Sequence, residues 1–164
     1  MRRRLLLVAL LSLTPALLCA AATGDGVRLV RVWPEWRAAE SFTRISEYFD
    51  GKENTGGQTV LRSQPKERAG YYFLVRTETK TAVAGARVEL QVLLPGAASP
   101  KKFTFTTDLP AGGHVTLAGL TGADWPGAKT APAAWHLAVL ATDGTLLAEE
   151  KSFLWSAPAA ATKK

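Results

Sequence analysis

The residues with chemistry to offer are two histidines, a scatter of carboxylates and five tryptophans. His114 and His136 each sit in an alternating apolar run, with no second histidine or carboxylate at metal-ligand spacing. Imidazole titrates near neutrality and suits proton transfer or metal binding. Both tasks need companion groups, and none is within the right reach in sequence. Both histidines therefore read as polar positions on an outer sheet face. Asp108, Asp124 and Asp143 fall in turns, where Asp stabilises the backbone locally. Glu149-Glu150-Lys151 reads as a solvated strand, and no two carboxylates nominate themselves as a glycosidase pair. Ser41, Ser46, Ser63 and Ser152 lack a nucleophile-elbow context. The glycines near residue 56 lack the Lys-Ser/Thr of a phosphate loop. The expectation is a non-enzymatic chain without metal or cofactor.

The tryptophans are more informative. Trp135 and Trp155 alternate with other core-type residues and read as core. Trp33-Pro34-Glu35-Trp36 marks a corner between a strand and a helix, and Trp125-Pro126 lies in the loop that runs from Gly119 to Gly127. An indole on such a corner can stack on a sugar or anchor a protein, since it combines a wide apolar face with one N–H donor. It can also fold back to plug the end of a small core, the reading favoured by the apolar area at stake. Trp33, Trp36 and Trp125 are the candidate contact residues, and their exposure decides between the two.

The elements that must carry these residues are mostly short strands. Val27 to Trp33 alternates with period two and is expected to stop at Pro34. Gln58 to Arg62 offers a second strand, and Tyr71 to Thr77 is strongly β-prone. Ala86 to Val92 alternates cleanly, with its even-numbered residues facing the core. Lys102 to Thr106 places Phe103 and Phe105 on one face, and His114 to Leu117 follows. Trp135 to Ala141 runs into Asp143-Gly144, a tight-turn pair, and Leu146 to Trp155 returns as the other arm of a hairpin. One stretch breaks the rhythm. Trp36 to Asp50 spaces Phe42, Ile45 and Phe49 as one face of a helix, with Gly51 placed for a left-handed C-cap. That helix is expected to shield an open sheet edge. Seven or eight short strands with Gly- and Pro-rich turns predict an all-β antiparallel β-sandwich, with one short helix inserted after the first strand.

The N-terminus bears on location. Arg2, Arg3 and Arg4 precede an apolar run from Leu5 to Leu13, then Pro15 and the small residues Ala20, Ala21 and Ala22. This is the layout of a secretory signal peptide, and the run is shorter than a spanning helix requires. The expected organisation is a signal peptide over 1–22, one domain over 23–155 and a disordered tail over 156–164. Cys19 is the only cysteine, and Leu18 before it is a poor match to a lipidation signal, so Cys19 leaves with the signal. The net charge of +6 then falls to +3, because Arg2, Arg3 and Arg4 leave too. The remaining basic residues are scattered, which argues against nucleic-acid binding.

The order of strands from Tyr71 to Trp155 resembles the central and C-terminal strands of an immunoglobulin-like or fibronectin-III-like domain. The resemblance is one of architecture and covers about half the chain. Together with the missing catalytic set it implies a binding module, and the signal-peptide layout makes that module exported, periplasmic or secreted. The expected partner is an envelope or extracellular protein, with polysaccharide as the alternative ligand and no membrane span after cleavage.

Overall fold

A computed structural model describes residues 26–155, so the expected signal peptide and the tail 156–164 lie outside the described residues. Eight strands form two four-stranded sheets. They are β1 (Val27–Arg37), β2 (Thr59–Arg62), β3 (Gly70–Thr79), β4 (Val83–Leu93), β5 (Lys101–Leu109), β6 (Gly112–Thr121), β7 (Ala134–Leu140) and β8 (Leu146–Lys151). The first sheet has the order β1-β3-β6-β2 and the second β5-β4-β7-β8. Every pairing is antiparallel except β2 with β6, which is parallel. The architecture is the expected all-β sandwich.

Alternation builds the core. Ala86, Val88, Leu90 and Val92 of β4 are all buried, as their even spacing predicts. Tyr71, Phe73 and Val75 of β3 and Leu137 and Val139 of β7 meet them between the sheets. The β7–β8 hairpin closes at Asp143-Gly144 as expected. Asp143 accepts the Thr145 N–H at 2.9 Å, and Gly144 takes a φ of 91°. The last strand ends at Lys151, earlier than expected, and Phe153–Trp155 forms a 3-10 turn.

Two expectations about the first third of the chain need correcting. Pro34 does not end β1, which continues to Arg37 against β3. An edge strand tolerates proline where the missing N–H faces away from the neighbour. The helix is also much shorter than its spacing implied. Residues Ala39–Phe42 form a 3-10 turn, and only Glu47–Asp50 is α-helical (α1), ending at Gly51 with φ 67°. Phe42 is buried, whereas Ile45 and Phe49 are 79% and 86% exposed. A helix of one turn cannot align three residues that span two turns.

The connector from Ala38 to Gln58 covers a sheet face rather than an edge. Phe42 packs on Tyr72 and Leu117, with Val60 and Leu74 around them, on the outside of the first sheet. Phe42 and Tyr72 rings lie 4.8 Å apart. Tyr72 lies flat across Gly119, its register partner, where a Cβ would stand 2.3 Å from the ring. Arg62 holds the assembly by hydrogen bonds to Glu53 at 2.8 Å and to the Tyr72 hydroxyl at 3.0 Å. Tyr72 in turn donates to the Arg68 carbonyl at 2.7 Å, and Arg68 pairs with Glu47 of α1 at 2.9 Å.

Candidate functional site

The three candidate tryptophans part company in the structure. Trp125 is 5% exposed, stacked on Tyr71 with ring centroids 4.4 Å apart, and its indole N–H donates to the Thr130 carbonyl at 3.2 Å. Trp36 is half-buried on the inward face of β1, where Tyr71 is its register partner. These two plug one end of the sandwich, as a large indole does when its N–H finds an acceptor. Trp33 points the other way and is 47% exposed. Of the three, Trp33 alone offers an indole to solvent.

Register explains where Trp33 stands. Trp33 pairs with Leu74, Leu74 with Leu117, and Leu117 with Val60, so one apolar row crosses all four strands of the first sheet on its outer face. Phe42 covers the Leu117 and Val60 end of that row. The Trp33 end is open, beside a cleft of about 340 Å³ lined by Arg31, Trp33, Glu35, Gln58, Leu74, Arg76 and Val115.

The charges of this cleft are unbalanced. Arg31 and Arg76 are register partners on adjacent strands. Like charges directly opposite on a sheet repel. The neighbouring arginines are neutralised: Arg28 pairs with Glu78, and Arg37 with Glu35 at 2.6 Å. Arg31 and Arg76 have no carboxylate partner among the described residues. The guanidinium of Arg31 instead lies 3.9 Å from the centroid of the Trp33 ring, a cation–π contact. An exposed indole, two guanidiniums without a carboxylate partner and a half-buried leucine floor form a surface suited to a ligand with both carboxylates and apolar groups. Sequence spacing marked Trp33, but it could not pair Arg31 with Arg76, because they are brought together only by the β1–β3 register.

The histidines sit on strand surfaces with local partners. His114 is 2.8 Å from the Thr59 hydroxyl, linking β6 to β2. His136 is 2.8 Å from the Glu149 carboxylate across the β7–β8 pair, with Trp155 stacked on it at 5.6 Å. Trp155 was expected in the core of a strand and lies instead on this outer face, half-buried. Ser152 accepts the Trp135 N–H at 2.9 Å and so closes the strand end. Among the described residues no three of His, Cys, Asp and Glu are grouped to hold a metal ion, and no helix is long and apolar enough to cross a membrane.

A second apolar surface lies on α1 and the turn before it, where Ile45, Tyr48 and Phe49 are 79%, 82% and 86% exposed. No protein-family model matches the chain, and no curated protein matches it.

Proposed function

We propose that the chain is an exported, non-enzymatic binding module that docks an envelope or extracellular protein on the outer face of its first sheet. The observation that carries this reading is the exposed Trp33 side chain, with Arg31 over its ring, beside the unneutralised, register-opposed pair Arg31 and Arg76. Trp and Arg are the residue types that dominate binding energy at protein interfaces, above all around a partly desolvated apolar centre. Leu74 and Val115 supply that centre here. The partner face is expected to carry carboxylates, which relieve the repulsion between the two guanidiniums. Export rests on the Arg2–Arg4 cluster and the apolar run after it.

The polysaccharide alternative now depends on Trp33, since Trp125 is packed on Tyr71. Arg31 lies over the Trp33 ring, on a surface a stacked sugar would need, so the protein reading leads. The test is affinity capture from an envelope fraction with the native chain, Trp33→Ala and Arg76→Glu. Both variants are expected to keep the native unfolding midpoint and to lose the captured protein by about tenfold or more. Equal recovery by all three chains overturns the proposal. Loss of retention on an immobilised polysaccharide with Trp33→Ala decides for the alternative.

A further inference from the structure

A sheet edge is an open row of backbone donors and acceptors, and folded proteins shield such edges. Three of the four edges here are shielded or short. β1 carries Pro34 and a register shift between Leu29 and Arg31. β2 has four residues, and β8 has six, with Glu149, Glu150 and Lys151 among them. β5 is different. It runs nine residues, KKFTFTTDL, without proline or glycine, and pairs on one side only, with β4. The register shift in that pair falls between Val83 and Ala86, so the extra residue belongs to β4 and β5 itself stays regular.

The sequence of β5 is complementary to itself. A two-fold axis through Phe105 sets two copies antiparallel, with Lys102 of one opposite Asp108 of the other and Thr104 opposite Thr106. Both kinds of pair are favourable across antiparallel strands. Shifting the axis by one residue in either direction breaks both charge pairs and shortens the ladder. The side chains concerned, Lys102, Thr104, Thr106 and Asp108, are all exposed on the same face. Lys102 already meets Glu89 at 2.7 Å, and Asp108 accepts the Gly85 N–H through Oδ1 at 2.7 Å. An ammonium has three donors and a carboxylate two oxygens, so each retains capacity for the second copy. On the inward side a cleft of about 380 Å³ lies beside Thr104, Phe105 and Thr106, where the axis passes, with Val60, Leu61, Arg62 and Pro65 lining it from the β2 side. It offers room for the inward-facing phenylalanines of an added strand.

We infer that β5 pairs with β5 of a second copy of this chain, joining two second sheets into one continuous eight-stranded sheet. Such an interface is isologous and closes, so it gives a dimer rather than a fibre. It is independent of the surface around Trp33, which belongs to the other sheet, so Trp33→Ala leaves the dimer intact.

The test uses the full chain in a Cys19→Ser background, with Thr104→Cys and Thr106→Cys as separate variants. Residue 104 faces residue 106 of the partner and not its own copy. An equimolar mixture under mild oxidation is therefore expected to form a disulfide heterodimer at least about tenfold faster than either variant forms a homodimer. Sedimentation of Lys102→Glu and of Asp108→Lys is expected to show dissociation, and the double reversal to restore the dimer. Equal disulfide yields in mixed and separate samples, a native chain that sediments as a monomer up to about 100 μM, or a double reversal no better than the singles overturns the inference.

Discussion

At the scale of single residues, burial separates positions that the sequence treats alike. Trp33 and Trp125 each precede a proline, yet one is 47% exposed and the other 5%. The difference lies in partners. Trp125 finds Tyr71 as a stacking ring and a carbonyl for its N–H, while the outward parity of Trp33 on β1 denies it both. Burial also exposes a weakness. Thr77 and Thr116 point into the core of the first sheet, 1% exposed, and the hydroxyl of each lacks a hydrogen-bond partner. A buried polar atom without a partner costs its desolvation. Thr77→Val keeps the side-chain shape and removes that atom. It is expected to raise unfolding stability by about 1 kcal/mol, read as a higher midpoint in denaturant. A lower midpoint would show that the hydroxyl is satisfied.

Among the elements, strands were legible and the connector was not. The alternation in β4 sorted Ala86, Val88, Leu90 and Val92 to the core without knowledge of their neighbours, because one buried face per strand is a local property. The spacing of Phe42, Ile45 and Phe49 was equally regular and misled. Only Phe42 meets an apolar surface, and that surface is assembled from Tyr72, Leu117 and Val60 of three other strands. The candidate site follows the same rule. Trp33 was visible as a corner indole, while its pairing with Arg31 and Arg76 needed a register that no local pattern encodes. The connector is held by Glu53, whose carboxyl is kept below its ordinary value of 4.5, chiefly by its hydrogen bond from Arg62. A depressed folded-state value means that this contribution is complete above about 4.5 and is lost as pH falls through the depressed value. Glu53→Gln is therefore expected to destabilise the fold at neutral pH by about 1–3 kcal/mol. Native and variant should converge in strong acid. Parallel stability curves across that range would exclude the role given to Glu53.

For the molecule as a whole, the two sheets divide the work between them. The first sheet carries the connector, the Phe42 plug and the open arginine–tryptophan surface on its outer face. The second offers the long unshielded edge at β5. The two surfaces therefore lie on separate layers, and a substitution in one leaves the other intact. An axis perpendicular to the second sheet turns both copies the same way up. A dimer through β5 thus presents two Trp33 surfaces toward one side, and a target with paired sites would bind with the gain that linkage confers.

The parallel pairing of β2 with β6 also has a temporal consequence. β1 and β3 are complete once residue 79 has left the ribosome, but β2 has no neighbour in its sheet until Thr116–Gly119 arrive. The loop so closed is long, and the entropy of closing it must be met before the four residues of β2 gain anything. Pulse-labelled hydrogen exchange during refolding should therefore protect the amides of Tyr72 and Leu74, which face β1, before that of Leu61, which faces β6. Until that final strand docks, Phe42 has only part of its seat, and the nascent protein must travel with an aromatic side chain uncovered, a natural handle for a chaperone.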